Sequence, residues 1–305
     1  MRKETVLAIV AGVSIGLITA FGIWRVTTAI KKNATESEIA NTPVSVPDKD
    51  FSFVIANLSD FDVVTQSPMT INGMTKPLSN IIISTFENDF FGTSKEDGSF
   101  EVKVELPVSL SEIKAVNFDS DGNSSETNIK IVFSEEFKKY VETTKKSKAY
   151  VGTVTDISGD TIQIKSANGE ILQAGVVEET TYVNLLKKAI AVKKIDLAIG
   201  DYVVAMGLLN GNKVLSAKRI LITSELVDLP AQAGDKRQIA WGKISKITKT
   251  KLTIVDSNEK TLEISLPKKW NGPNVSELEV GQEIIVVGTR DNDNYILRSI
   301  FTPTL

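Results

Sequence analysis

In NFDSDGNSSE, Asn117 to Glu126, acidic and amide side chains alternate around a glycine, a spacing that can gather oxygen ligands around a calcium ion. On the EF-hand pattern, Gly122 at loop position 6 puts Asn117, Asp119 and Asp121 at positions 1, 3 and 5. Position 12 then falls on Asn128 where the pattern needs a bidentate glutamate, and the flanks IKAVNF and TNIKIVF alternate like strands. The EF-hand is therefore rejected. Two readings remain: a smaller calcium site of Asp119, Asp121 and Asn123, or a hairpin loop in which Asp, Gly and Asn supply turn geometry.

A second candidate is LPKKWNGP, where Trp270 stands beside Lys268 and Lys269. An exposed indole flanked by cations can stack on a sugar or a base; the alternative is a loop residue plugging the end of a barrel. Catalysis has little to work with. The chain has no histidine and no cysteine, which removes histidine-based hydrolysis, thiolate nucleophiles, thiolate zinc sites and disulfides. No glycine-rich phosphate loop or nucleophile elbow is present. Carboxylate, lysine, tyrosine or serine-lysine chemistry remains, a carboxylate pair of the glycosidase kind included, and the expectation is a non-enzymatic protein with no cofactor beyond the calcium candidate.

The elements that carry these residues read as β throughout. In FEVKVEL, Phe100, Val102, Val104 and Leu106 point to one face and Glu101, Lys103 and Glu105 to the other, the period of a half-buried strand. Similar short runs, separated by turn signals, fill 51–133 and predict a β-sandwich. The order MTINGMTKP, DGSFEVKVELP, IKAVNFDSDGNSS resembles the bacterial immunoglobulin-like modules of surface adhesins and extracellular glycosidases. That resemblance implies an immunoglobulin-like sandwich serving as a spacer or binding support.

Residues 134–148 predict a linker or short helix, with Ser134 as cap and Phe137, Tyr140 and Val141 on one face. An internal repeat follows. VGTVTDISGDTIQI (151–164) lies over WGKISKITKTKLTI (241–254), and LAIGDYVVAMG (197–207) over LEVGQEIIVVG (278–288). Each unit predicts about five strands, so 149–224 and 238–305 are expected to be two small barrels, OB-like or SH3-like, joined by a linker at 225–237. The pair resembles a widespread bacterial domain of unknown function marked by a G-x-[IV] strand and an L-x-x-G-D turn. Asp201 holds the last position of that turn in the first unit, and Gln282 replaces it in the second. Within the first unit, NLLKKAIAVKKIDL suggests a helical face of Leu185, Leu186, Ala189 and Ile190.

Charge is uneven: residues 1–32 carry net +4, 33–133 net −10 and 134–305 net +3. Barrels so near neutrality lack the basic footprint that phosphate backbones require, so nucleic acid is disfavoured as a partner. Ahead of everything lies TVLAIVAGVSIGLITAFGIW, Thr5 to Trp24, twenty uncharged residues that suffice to cross a bilayer. The run exceeds the roughly 7–15 apolar residues of a signal-peptide core. The expectation is a retained single-pass anchor (1–32), a tether (33–50) and a bulk displayed outside the cell membrane. Ala8, Gly12, Gly16 and Ala20 form a small-residue seam suited to self-association of the helix. Surface display, adhesion or envelope scaffolding is the function this organisation suggests, with glycan or cell-wall binding through Trp270 as the alternative. Partners would be the membrane and an envelope glycan or protein.

Overall fold

In a computed structural model, the described residues are 53–303 except 108, 143–144, 225–235, 269, 271, 273–276 and 292–293. The anchor Thr5–Trp24 with its seam of Ala8, Gly12, Gly16 and Ala20, the tether, most of the 225–237 linker and Lys269 lie outside them. Among the described residues no helix is long and apolar enough to cross a membrane. Structure is nearly all β, and Asp50–Leu305 forms one compact unit.

The first part of that unit is two facing sheets. One joins β1 (Val54–Ile55), β3 (Met69–Met74) and β6 (Ser99–Val104). The other runs through β2 (Asp62–Val64), β8 (Ser124–Phe133), β7 (Ser109–Phe118), β4 (Asn80–Ser84) and β5 (Asp89–Thr93). Alternation in β6 does what its sequence dictates: Phe100, Val102 and Val104 are buried, Glu101 and Lys103 exposed. They meet Ile71 from their own sheet and Ile81, Ile83, Ile113, Ala115 and Ile131 from the other in a shared core. Strand β4 differs, because every residue of NIIIS is buried. Ile81 and Ile83 face that core, so Ile82 must face the other way, with Val116 and Phe118 of β7. The second sheet is therefore apolar on both faces.

Two five-stranded rings cover its outer face. The first comprises β9 (Ser147–Ser158), β10 (Thr161–Lys165), β11 (Ile171–Gly175), β14 (Tyr202–Leu209) and β15 (Leu215–Thr223). They pair in the circular order β9, β10, β11, β15, β14 and back to β9. The second comprises β16 (Arg237–Ile247), β17 (Lys251–Val255), β18 (Thr261–Ser265), β19 (Glu283–Asp291) and β20 (Asn294–Phe301), closed into a barrel in the same order. In both, the third and fifth strands pair in parallel and all other pairs are antiparallel. The insertion read as a helical face is instead a hairpin, β12 (Thr181–Asn184) with β13 (Ile190–Val192), added beside β15. Lys188 and Ala189 turn it with positive φ, and the β-branched Ile190 and Val192 suit a strand better than a helix.

The glycines of the repeat are geometric requirements. A Cβ on Gly207 would stand 2.2 Å from the Ser216 carbonyl oxygen, and one on Gly288 would stand 2.6 Å from that of Ile296. Each marks the register shift of its fourth strand. Gly200 and Gly281 serve differently, with φ of +97° and +93° in open space.

The first ring seats Ala149, Val151, Val204, Met206 and Leu221 against Val63, Leu110 and Val132 of the second sheet. Residues 134–148 do more than link. Glu135–Tyr140 is a 3-10 helix that puts Phe137, fully buried, into this junction, with its ring 5.5 Å from that of Tyr140. Val141, expected on the same face, is exposed. The second ring seats Trp241, Ile285 and Val287 on Ile82, Val116 and Phe118. Trp241 meets Phe118 edge to face at 5.8 Å. Two arginines pin this contact. Arg298 donates from Nε to Asp89 Oδ2 at 2.8 Å, from Nη2 to Asp89 Oδ1, and to the Thr85 and Phe86 carbonyls at 2.7 and 2.8 Å. Arg237 is buried and donates to the Ser84 carbonyl at 2.7 Å.

Two outcomes follow, both read by denaturant unfolding. Arg298→Ala leaves the Asp89 side chain, fully buried, without its cation and is expected to destabilise by about 3–5 kcal/mol, whereas Asp89→Leu with Arg298→Met loses less. Gly207→Ala forces strands apart and is expected to cost about 1–3 kcal/mol, against about 1 kcal/mol for the backbone strain alone in Gly200→Ala.

Candidate functional site

The sequence-predicted residues are not brought together. Asp119 is buried at the start of the β7–β8 loop. Its Oδ1 accepts the backbone N–H groups of Asp121 and Asn123 at 3.1 and 2.8 Å; its Oδ2 accepts Asn123 Nδ2 at 3.2 Å and Lys76 Nζ at 2.8 Å. The carboxylate thus staples its own loop, with a lysine in the place a cation would take. Among the described residues no group of three or more acidic side chains is placed to hold a metal. Burial pushes the Asp119 carboxyl up, but hydrogen bonds from Lys76 and Asn123 outweigh it and hold the group below its ordinary value. The loop also touches the second ring: a Cβ on Gly122 would meet Ser257 Oγ at 3.3 Å.

Trp270 is half-buried and packs against the second ring's core with Leu266 and Leu278, while Lys268 is exposed. A Cβ on Gly272 would fall 2.1 Å from the Trp270 ring, so that glycine lies directly against the indole. Asp201 and Gln282 have equivalent jobs: Asp201 Oδ2 accepts the Ala198 N–H at 2.9 Å and Gln282 Oε1 the Glu279 N–H at 3.1 Å. An amide replaces a carboxylate there because the turn needs only an acceptor.

A cleft with a mainly apolar lining lies elsewhere, between the first ring and the two-sheet body, with a volume of about 430 Å³. Its walls are Phe61, Tyr150, Tyr202, Leu172 and Leu209, all half-buried. The β1–β2 loop forms one side and is tightly held. Phe61 has φ of +60°, and its backbone is fixed on both sides, its N–H donating to the Lys130 carbonyl at 2.6 Å and its carbonyl accepting the Ala149 N–H at 2.8 Å. Lys148 Nζ binds Asp62 Oδ1, the Asp60 carbonyl and Ser59 Oγ at 2.7, 2.8 and 3.0 Å. Opposite, Tyr150 donates its hydroxyl to the Lys213 carbonyl, tying β9 to the β14–β15 loop. Burial, with the negative charge of Glu170, pushes that hydroxyl above its usual value, so it stays protonated. Asn168, Glu170 and Lys213 stand exposed at the rim.

Aromatic walls with a polar rim suit a ligand that has a flat apolar face and hydroxyl or amide edges. Sequence reasoning passed over these residues because the cleft is assembled from segments far apart in the chain. One signal was present. Tyr150 and Tyr202 fall where the second unit has Ala240 and Glu283, so the two copies differ at positions the fold does not require to be aromatic.

These residues define a nearly all-β protein in which a two-sheet body carries two rings of the same topology. No family model matches the chain, and no curated protein matches it. Among solved structures, a multidomain protein with nucleic acid binding domains from Streptococcus pneumoniae is 13% identical, covering 80% of this chain and 75% of that one at a TM-score of 0.16. A structure concerned with host cell surface retention of a bacterial ice-binding adhesin is 12% identical, covering 83% and 98% at 0.19. SGBP-B of the mixed-linkage glucan utilization locus of Bacteroides ovatus, solved with a mixed-linkage heptasaccharide, is 10% identical, covering 88% and 99% at 0.19. Overlaps this slight carry no argument about ligand or fold, which rest on the residues themselves.

The Asp119 staple gives a pH expectation. A carboxyl held below its unfolded value, about 3.9, contributes stability that is complete above that value and is lost as pH falls through the lower folded one. Urea midpoints of Asp119→Asn measured from pH 5 to 2 are expected to fall less steeply than those of the parent.

Proposed function

We propose that the chain is a non-enzymatic, envelope-displayed binding protein: an immunoglobulin-like sandwich (51–133) with two OB-like barrels (149–224 and 238–305), held outside a cell membrane by Thr5–Trp24. Its displayed site is the Phe61–Tyr150–Tyr202 cleft, and its ligand class is carbohydrate. The observation that supports this is the cleft's construction. Phe61 has its backbone held by hydrogen bonds on both sides and Tyr150 is anchored through its hydroxyl, so little freedom of the Tyr150 ring is lost when a sugar ring stacks there. Trp270, packed on its own barrel, gives way to Tyr150 as the stacking residue in this reading. The uncharged run Thr5–Trp24 supports the anchor, and the absence of histidine and cysteine supports a role without catalysis.

Titration of the full chain with glucose and N-acetylglucosamine oligosaccharides tests the site. Tyr150→Ala is expected to weaken binding about tenfold, a loss in the range of one aromatic stack. Binding that persists unchanged in Tyr150→Ala overturns the assignment, as does salt-sensitive capture of single-stranded DNA without glycan binding.

A further inference from the structure

The first ring carries a part that its twin lacks. Among the described residues no strand lies between β18 and β19 of the second ring, where Leu266, Trp270 and Leu278 pack on that ring's core. In the first ring the same stretch forms the β12–β13 hairpin. Its inner strand serves the fold: Tyr182 lies in the ring's core, and Val183 and Leu185 pack at the junction with Phe137 and Tyr140. Its tip does not. Every residue from Leu186 to Ala191 is exposed, Leu186 at 62% and Ile190 at 55%.

The tip is tightly turned and carries one sign of charge. Asn184 Oδ1 accepts the Lys187 N–H at 3.2 Å, and Lys188 and Ala189 both hold positive φ, which folds the loop back into β13. From Leu185 to Lys193 there are three lysines and no acidic residue. Among the described residues the side chains of Lys187 and Lys188 make no ion pair or hydrogen bond, whereas Lys194, just beyond, is held by Asp160 at 2.9 Å. Strand β13 also ends its sheet, with no strand on its outer side. Lysines at a free edge guard it against pairing with another strand. A guard does not call for a leucine and an isoleucine in water beside it. Apolar side chains alternating with lysines suit a lipid headgroup layer, where the first enter the acyl boundary and the second reach back to the phosphates.

We propose that this hairpin tip docks on an anionic bilayer, with Leu186 and Ile190 inserted and Lys187 and Lys188 on lipid phosphates. The proposal rests on the membrane placement proposed above and not on the carbohydrate cleft. Residues 25–52, between the uncharged run and the described unit, reach roughly 95 Å at full extension, enough for the tip to return to the surface. The tip is then a second attachment that fixes which side of the body faces the bilayer.

Because the chain has no cysteine, Ala189→Cys carries the sole thiol for an environment-sensitive fluorophore. The labelled full chain is reconstituted in vesicles of phosphatidylcholine alone and of equal parts phosphatidylcholine and phosphatidylglycerol, with and without a spin-labelled lipid as quencher. Blue-shifted emission, quenched by the spin-labelled lipid, is expected in the anionic vesicles and fades as sodium chloride rises. The same label at Asn258→Cys, in an exposed turn of the second ring, is expected to read water. Lys187→Gln with Lys188→Gln is expected to lower the ratio of docked to free tip by about twentyfold or more, since each lysine near an anionic surface contributes about fivefold. Ile190→Ser is expected to lower it by about tenfold. All these positions are exposed, so the unfolding midpoint should hold. A tip that reads water in anionic vesicles, a signal that survives both substitutions, or an equal signal at Asn258→Cys overturns the proposal. So does shielding that grows with protein concentration in neutral detergent micelles, which would mark the tip as a contact with a second copy. Loss of the chain from vesicles in an alkaline carbonate wash counts against the anchor alone, because the label is read before the wash.

Discussion

A sheet that is apolar on both faces cannot end in water, and the arrangement of this protein follows from that constraint. Ile81 and Ile83 of β4 are satisfied inside the two-sheet body, but Ile82, Val116 and Phe118 on the reverse are not. Burial of each such side chain is worth on the order of 1.5–3 kcal/mol, so leaving several uncovered would consume much of a domain's net stability. The second ring supplies Trp241, Ile285 and Val287 to cover them, while the first ring and Phe137 cover the neighbouring stretch around Val63 and Val132. What the chain order presents as three beads is thereby one body.

Covering a sheet with rings has a geometric by-product. A convex ring laid on a twisted sheet touches along part of its surface and leaves a gap beside the contact. Each ring leaves its gap at the same place, and the two copies have filled their gaps with different side chains: tyrosine and leucine at 150 and 209, alanine and arginine at 240 and 290. The glycines that let strands approach, Gly207 and Gly288, are shared by both copies. These glycines have stayed alike, whereas among aligned positions facing the gaps the leucines at 172 and 262 agree and those at 150/240 and 209/290 do not.

Much of the fold was legible. FEVKVEL alternates because one face is wet, and β6 is half-buried as its letters say. The repeat announced two equivalent rings, and their pairings match strand for strand. NIIIS also carried more than was drawn from it. An unbroken apolar run in an antiparallel setting signals a strand covered on both faces, and therefore a partner for the outer one. Phe137 was legible as apolar but not as a plug, since a six-residue segment does not reveal what it packs against. The cleft was least legible of all. Phe61, Tyr150 and Tyr202 are far apart in the chain, and Asp119, which carried the strongest motif, turned out to spend its oxygens on its own loop and on Lys76.

The Asp89–Arg298 pair joins residues 209 positions apart. A ribosome must therefore translate past residue 298 before that bond exists. While the chain is being made, the reverse face of the sheet stays bare, because the residues of the second ring that shield it are not yet synthesised. Contacts of such long range form late, and a bare apolar sheet is the species most prone to stick to a neighbour. During synthesis the outer face of that sheet thus stays exposed until the second ring is made, and Arg298 is among the late residues that bolt it shut.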